Sequence, residues 1–538
     1  MAQNTHTVLY NGRIHTLAGR TVSALVLGGG RVLLAGTDGE AHAFCRENGG
    51  AAETIDLRGR CVLPGFTDSH THLCGTGREA ARLDLHGAAS PEEIVRRGRE
   101  YLAHTPVLPG GWVVGCGFDQ NLFETPVLPD GAVAEAISSE VPVLLDRVCS
   151  HVGTANRAAL RLAGFDEHTV IPGGALDKDA QGRLTGVLRE AALDRLKAAI
   201  PPLDASALPA LLRQTGGRMA AAGLTAIHSN DVSPSGVDWP ALYGAAGQLT
   251  AAGEMPLRIY EEWEAPRPAD VRRMTQQGIR FGSGSEWCSV VNVKLFADGS
   301  LGARTAALRA GYADAPEDRG ILVHTQEEMN ELVALCQQAG LPVAFHAIGD
   351  GALAQCVTAV ETAQRGDTHL RHRLVHCQIG DAALYRRLAA AGMGADIQPA
   401  FLPSDAPLVV PRLGGARAAE SYAWRTLLES GVHLGGGSDS PVECFDPLWG
   451  IYCAVTRQTP LGVCQPEQRL TVAQAVALYT TGPAWLAHRE NVSGTLEAGK
   501  YADLVVLSED IFAVPPQEIP HIRVLRTMAG GRTTWAAE

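Results

Sequence analysis

The sequence predicts an α/β protein: a (β/α)8 barrel, a small β domain assembled from both ends of the chain, and an insertion after the first barrel strand. Three observations lead there. Strand-like apolar runs recur eight times between Pro64 and about Leu486, separated by helical stretches, the alternation expected of parallel βαβ units. Short strands with glycine turns occupy both termini. A long tract, 78–215, falls between the first two barrel runs.

In chain order, VLYNGRIHTL and ALVLGGGRVLLAG hold apolar runs broken by Asn11-Gly12 and Gly28-Gly29-Gly30, which are hairpin signals. GTLEAGKYADLVVLSED and HIRVLRTMAGGRTTW repeat that pattern at the far end. Residues 1–63 and 488–538 are therefore expected to form one discontinuous β domain, with the barrel at 64–487. The eight strand candidates are Val62–Phe66, Leu224–His228, Leu257–Glu261, Val290–Phe296, Pro342–His346, Arg373–Cys377, Gly394–Ile397 and Val432–Gly437. The tract 78–215 has strand signals of its own in GWVVGCGF and VPVLLD and a helix near Arg189 to Ala199. It is expected to be a subdomain covering the barrel mouth, where β-to-α loops build active sites.

Composition narrows the class. A hydrophobic content of 46% with 19% charged residues describes a soluble globular chain. The net charge of -13 argues against nucleic acid or an anionic membrane as partner. The opening MAQNTHTVLYNG lacks a basic stretch followed by an apolar one, and no run reaches the length of a spanning helix. Twelve scattered cysteines without a C-x-x-C pair suggest reduced thiols in the cytoplasm. A homo-oligomer is the general expectation for such a chain.

Chemistry concentrates where the candidate strands end. CVLPGFTDSHTHLC places His70 and His72 two apart, so a strand would present both imidazoles on one face. The fourth run holds Lys294, the fifth ends in His346, the sixth in His376, and the eighth is followed by Asp439. Each has a bland alternative: a hydrogen-bonded core histidine, or for Asp439 a turn or cap residue. Lys294 is harder to set aside, because a buried unpaired lysine is costly. A carbamate formed with CO2 would make it an anionic bridging ligand, and an unmodified electrostatic lysine is the alternative.

The order His-x-His, Lys, His, His, Asp along the strands resembles the amidohydrolase superfamily of metal-dependent hydrolases. PGFTDSHTHL, GGALDKDAQGRLTGVLRE, VKLFADGSLGARTAAL, HAIGDGA, RHRLVHCQ, GSDSPV and GTLEAGKYADLVVL are most similar to its amidohydrolase-3 branch, which includes N-substituted formamide deformylases. That resemblance implies a distorted (β/α)8 TIM-type barrel with a composite β-sandwich. It also implies that His70, His72, carboxylated Lys294, His346, His376 and Asp439 hold one or two divalent metals, zinc first, with iron, manganese or cobalt as alternatives. Within the insertion the family tends to read Gly-Trp-Asp and Asp-Gly-His, where this chain has Gly117-Phe118-Asp119 and Cys149-Ser150-His151.

The chemistry expected is hydrolysis of a non-peptide carbon–nitrogen bond in a small amide, N-acyl or N-formyl compound. A metal lowers the pKa of water toward neutrality, and Asp439 would move the proton to the leaving nitrogen. Trp112, Phe118, Phe123, Arg147 and His151 are candidates for the substrate wall, with packing of the insertion's own core as the alternative for the aromatic ones. His151 is the foremost of them, as a donor to a substrate oxygen. Arg304, after the fourth run, either faces the same cavity or is a solvated loop residue. The same metal centre could instead open a cyclic amide or deaminate. A non-catalytic scaffold with this fold is the competing class, and the completeness of the six-residue set speaks against it.

Overall fold

Eight parallel strands pair in chain order in the computed structural model, which describes residues 6–48, 52–105, 111–147, 151–171, 173–201, 204–234 and 236–537. They are β1 (Phe66–Thr71), β2 (Leu224–Ser229), β3 (Arg258–Glu264), β4 (Cys288–Phe296), β5 (Val343–Ala347), β6 (Arg373–His376), β7 (Gly394–Ile397) and β8 (His433–Gly436). Strand β8 returns to β1, where the Asp439 amide donates to the His70 carbonyl at 2.8 Å. The approach is so close that a Cβ at Gly437 would lie 2.7 Å from the His70 amide nitrogen, which explains the glycine. Helices alternate with the strands, among them Gln326–Ala339, opened by a Thr325/Glu328 capping box and closed by left-handed Gly340.

The first strand differs from expectation. Cys61–Pro64 does not enter the barrel; it pairs with Leu504–Leu507 on one side and Arg13–His15 on the other. Gly65 marks the crossing point between sheets, because a Cβ there would meet Thr225 Oγ1 at 2.2 Å. The sheet that Cys61–Pro64 joins has six strands and draws on both termini, adding Arg532–Ala536, Val524–Ala529 and Thr21–Val22. A four-stranded sheet of Arg31–Gly36, Ala24–Gly28, His6–Tyr10 and Ala52–Asp56 shares its core, in which Leu9 and Leu25 pack with Ile14, Val62, Leu504 and Met528.

The chain divides into two compact units, residues 1–77 with 205–538, and residues 78–204. The second unit ends before the expected 215, because Leu208–Ala221 is a helix packed on Trp239–Ala251 and on β2 of the barrel. Its own sheet has six strands, in the order Gly174–Lys178, Leu184–Glu190, Val152–Ala155, Val143–Arg147, Val113–Phe118, Leu83–Asp84. Apolar clusters cover both faces of that sheet.

No disulfide joins the described cysteines, and among the described residues no helix is long and apolar enough to cross a membrane.

Candidate metal centre

The six residues singled out at strand ends come together at the C-terminal end of the barrel. Ligand atoms of His70, His72 and Asp439 all lie within 4.8 Å of one another. Lys294 Nζ is 2.9 Å from His70 Nε2, and the His376 ring centroid is 5.9 Å from that of His70 and 4.5 Å from that of His346. Period-two alternation explains the first pair, since His70 and His72 share the interior side of β1 and its continuation. His376 and Asp439 adopt positive φ, 75° and 55°, a conformation that non-glycine residues keep only where their surroundings hold them.

Two buried aspartates hold the scaffold. Asp68 accepts the backbone N–H of both His70 and Ser438 at 3.1 Å and the Ser438 hydroxyl at 2.6 Å, tying β1 to the loop that carries Asp439. Asp298 accepts the N–H groups of Ala307, Ile348 and Gly349, fastening the loop after β4 to the end of β5 beside His346. Burial lifts both carboxyls, each to a pKa of about 7.

Each histidine is oriented through one ring nitrogen. His70 Nδ1 lies 2.7 Å from Glu262 Oε2, His72 Nδ1 2.9 Å from the Asn230 carbonyl, His376 Nδ1 2.8 Å from Gln398 Oε1, and His346 Nε2 3.1 Å from the Gly299 carbonyl. All four partners are acceptors, so those nitrogens carry protons, and for His346 and His376 the opposite nitrogen is left with a lone pair. Burial, with Lys294 second, lowers the His346 pKa to about 4, and burial with His346 second takes His376 well below its ordinary value. Both rings are therefore neutral at pH 7, the form that ligates a metal. His72 has a second acceptor, Asp439 Oδ1, 3.1 Å from Nε2. Acceptors at both nitrogens require either a doubly protonated ring or a cation between Nε2 and the carboxylate. This donor set fits a divalent metal, being made of imidazole and carboxylate.

Beneath the centre lies an ionic layer that the sequence reading missed. Arg373 from β6 pairs with Glu262 from β3, lies 3.0 Å from Asp396 Oδ2 of β7, and donates to His228 Nδ1 of β2 at 2.8 Å. All four side chains are fully buried. Burial would raise the Glu262 carboxyl, but Arg373 and His70 outweigh it and hold it well below the usual range. Asp396 is pushed up by burial to about 6, with Arg373 opposing. A signal was available: Glu261-Glu262 lies in a strand whose first five residues are buried, RIYEE, although Arg258 and Glu264 make its charge less conspicuous than that of Lys294. Asn230 and Gln398 carry no comparable mark.

The expected substrate wall fares differently. Phe118 and Phe123 are buried in one core of the second unit, and Trp112 packs against the other, because both faces of that sheet are covered. Arg147 is held by Asp119 at 2.8 Å and by Gln120 at 2.7 Å. His151 is exposed, with Nδ1 2.9 Å from Glu190 Oε2; Cys149 and Ser150 lie outside the described residues. Arg304 forms a two-bond pair with Asp314, which Arg412 also grips, and hydrogen bonding to Arg304 is the first cause of an Asp314 pKa of about 2. It is a loop tether.

A parallel eight-stranded barrel with histidine and aspartate converging at its strand ends defines a class of protein, and comparison with known proteins agrees with it. Residues 53–535 match the family described as the amidohydrolase family, and the chain belongs to it. It is 34% identical over 506 residues to YtcJ of Bacillus subtilis, covering 91% of this chain and 92% of that one. It is also similar to the N-substituted formamide deformylase of Arthrobacter pascens, 26% identical over 99% of this chain and 98% of the other. Among solved structures, an uncharacterized metal-dependent hydrolase from Pyrococcus furiosus superposes with a TM-score of 0.80 at 30% identity, covering 94% of this chain and all of that one.

Proposed function

We propose that this protein is a metal-dependent hydrolase that cleaves a non-peptide carbon–nitrogen bond in a small amide, N-acyl or N-formyl compound in the cytoplasm. One observation carries the reading: His70, His72 and Asp439 bring ligand atoms within 4.8 Å of one another, and the His376 and His346 rings, each held by an acceptor on one nitrogen, stand beside them. Membership of the amidohydrolase family and similarity to a formamide deformylase support it.

His70, His72, His346, His376 and Asp439 would hold one or two divalent ions, with zinc the first candidate. When bound, such an ion supplies a water acidified toward neutral pH and a Lewis acid for the carbonyl. Asp439 takes the proton of the attacking water and returns it to the leaving nitrogen. Burial lowers the Lys294 pKa against the pull of Glu262 and Asp439, favouring the neutral amine that can add CO2. The carbamate so formed would be a sixth, anionic ligand. Glu262, locked by Arg373, fixes the His70 ring and its proton.

Elemental analysis of protein prepared without chelator should find one or two metal equivalents, lost in His70→Ala and His376→Ala. Asp439→Asn should retain metal and lose turnover by about 100-fold or more. Absence of metal after supply of zinc, manganese and cobalt with bicarbonate would refute the proposal.

A further inference from the structure

We propose that Glu264 binds a cationic amino group on the amine side of the substrate, so that the preferred substrates are N-acyl or N-formyl amines bearing a second, protonated nitrogen. The inference rests on the barrel mouth being the hydrolytic site proposed above.

Register fixes where Glu264 points. Along β3, Glu262 is the pairing partner of Asn292 and Glu264 that of Lys294. Lys294 points into the barrel, since its Nζ reaches His70, and Glu262 does too, since it reaches the same ring from the other side. Residues two apart on a strand share a face, so Glu264 also faces the interior, about 7 Å nearer the C-terminal mouth than Glu262.

What distinguishes Glu264 is its lack of a partner. Glu262 and Asp396 meet Arg373, Asp298 meets three backbone N–H groups, and Asp439 meets His70 and His72. The Glu264 carboxylate is half-buried and makes no hydrogen bond or ion pair among the described residues. Burial raises its pKa, and Lys294 and His72 are the groups that oppose this. It therefore lies within the field of the centre without being engaged by it.

A half-buried carboxylate at a site mouth is a receptor for a donor, and a charged donor gains most from it. The side of the substrate follows from the neighbours. Glu264 pairs in register with Lys294, whose Nζ lies 2.9 Å from His70 Nε2, and that nitrogen lies 3.4 Å from Asp439 Oδ1, the group proposed to return a proton to the leaving nitrogen. A cation carried by the leaving amine would therefore lie toward Glu264.

The test compares two formamides of equal length, N-(2-aminoethyl)formamide, cationic at pH 7, and N-propylformamide, neutral. Calorimetric Kd values are measured for both on the metal-loaded wild type, Glu264→Gln and Glu264→Asp, with kcat/KM where turnover occurs. Wild type should bind the cationic compound about tenfold more tightly or better. Glu264→Gln should abolish that ratio with metal content unchanged, and Glu264→Asp should keep part of it. Equal affinities in wild type, or a ratio that survives in Glu264→Gln, would overturn the proposal. A Glu264-dependent ratio without turnover of either compound would uphold it and count against the amide-hydrolysis reading alone.

Discussion

The barrel interior and the sheet of residues 78–204 treat conspicuous side chains in opposite ways. In the barrel, charges sit within apolar strands and meet each other: Lys294, Glu262, Arg373 and Asp396 are buried inside the ring of strands. In the other sheet the conspicuous residues are aromatic, and they pack: Val113 and Phe118 face one core while Trp112 and Val114 face the other. An aromatic residue is accommodated by any covered face, whereas a buried charge persists only where something pairs with it. Charge within an apolar strand is therefore the sharper pointer to a site.

The largest effect expected on the barrel side of that contrast is at Arg373. Arg373→Met leaves Glu262 and Asp396 buried without their cation, and should cost about 3–5 kcal/mol in urea denaturation. Restoring neutrality with Glu262→Gln and Asp396→Asn in the same chain should return most of the loss. If Arg373→Met alone costs less than about 1 kcal/mol, the layer is not held by pairing and the contrast fails.

On the other side, Phe118→Ala should cost about 3 kcal/mol through lost burial and a cavity. Metal content should stay at the wild-type level, because Phe118 belongs to the core of residues 78–204 and not to the proposed ligand set. A fall in bound metal without loss of stability would assign the ring to the site after all.

Glu262→Gln sharpens the barrel half further. The amide keeps the shape but weakens the acceptor for His70 Nδ1, so metal affinity should fall about 10- to 100-fold, with a stability loss smaller than that of Arg373→Met because Asp396 still pairs with Arg373. Competition with a chelator of known affinity reads this directly. Unchanged affinity would mean that Glu262 serves Arg373 only.

How much of this was legible follows the same division. The six strand-end residues could be read because each interrupts or terminates an apolar run with a side chain that seldom ends there by chance, and barrel topology brings such ends to one place. Glu262 carried the same mark more faintly and was obscured by Glu261, which points to the other face and accepts the N–H groups of Asp231 and Val232. The role of Asn230 is a backbone carbonyl, which no side chain announces. Phe118, Trp112 and Arg304 were open to misreading because a sequence does not say whether both faces of a sheet are covered, or that Asp314 waits ten residues on. The crossing at Gly65 was equally hidden, since Val62 to Phe66 reads as one strand though its halves belong to different sheets.

The smallest effect at neutral pH concerns a pair of imidazoles flanking one strand. His376 ends β6 and faces the centre, while His372 precedes it and is a core histidine whose Nδ1 accepts the Val343 N–H at 3.0 Å and whose Nε2 faces Gln337 Oε1 at 3.0 Å. Burial first, then His369 and His488, bring the His372 pKa down to about 3 from 6.5. Folding therefore excludes a proton that the unfolded chain accepts below pH 6.5. The stabilising contribution is complete above that pH and is lost progressively as pH falls from 6.5 toward 3, by about 1.4 kcal/mol per unit. His372→Asn removes the titrating group, so the wild-type-minus-variant difference in urea stability should be flat above pH 6.5. It should then decline by about 2 kcal/mol between pH 6.5 and 4.5. A difference that does not change with pH would mean that His372 is protonated in the native state, and the contrast between a structural imidazole before β6 and a proposed ligand at its end would lose its physical basis.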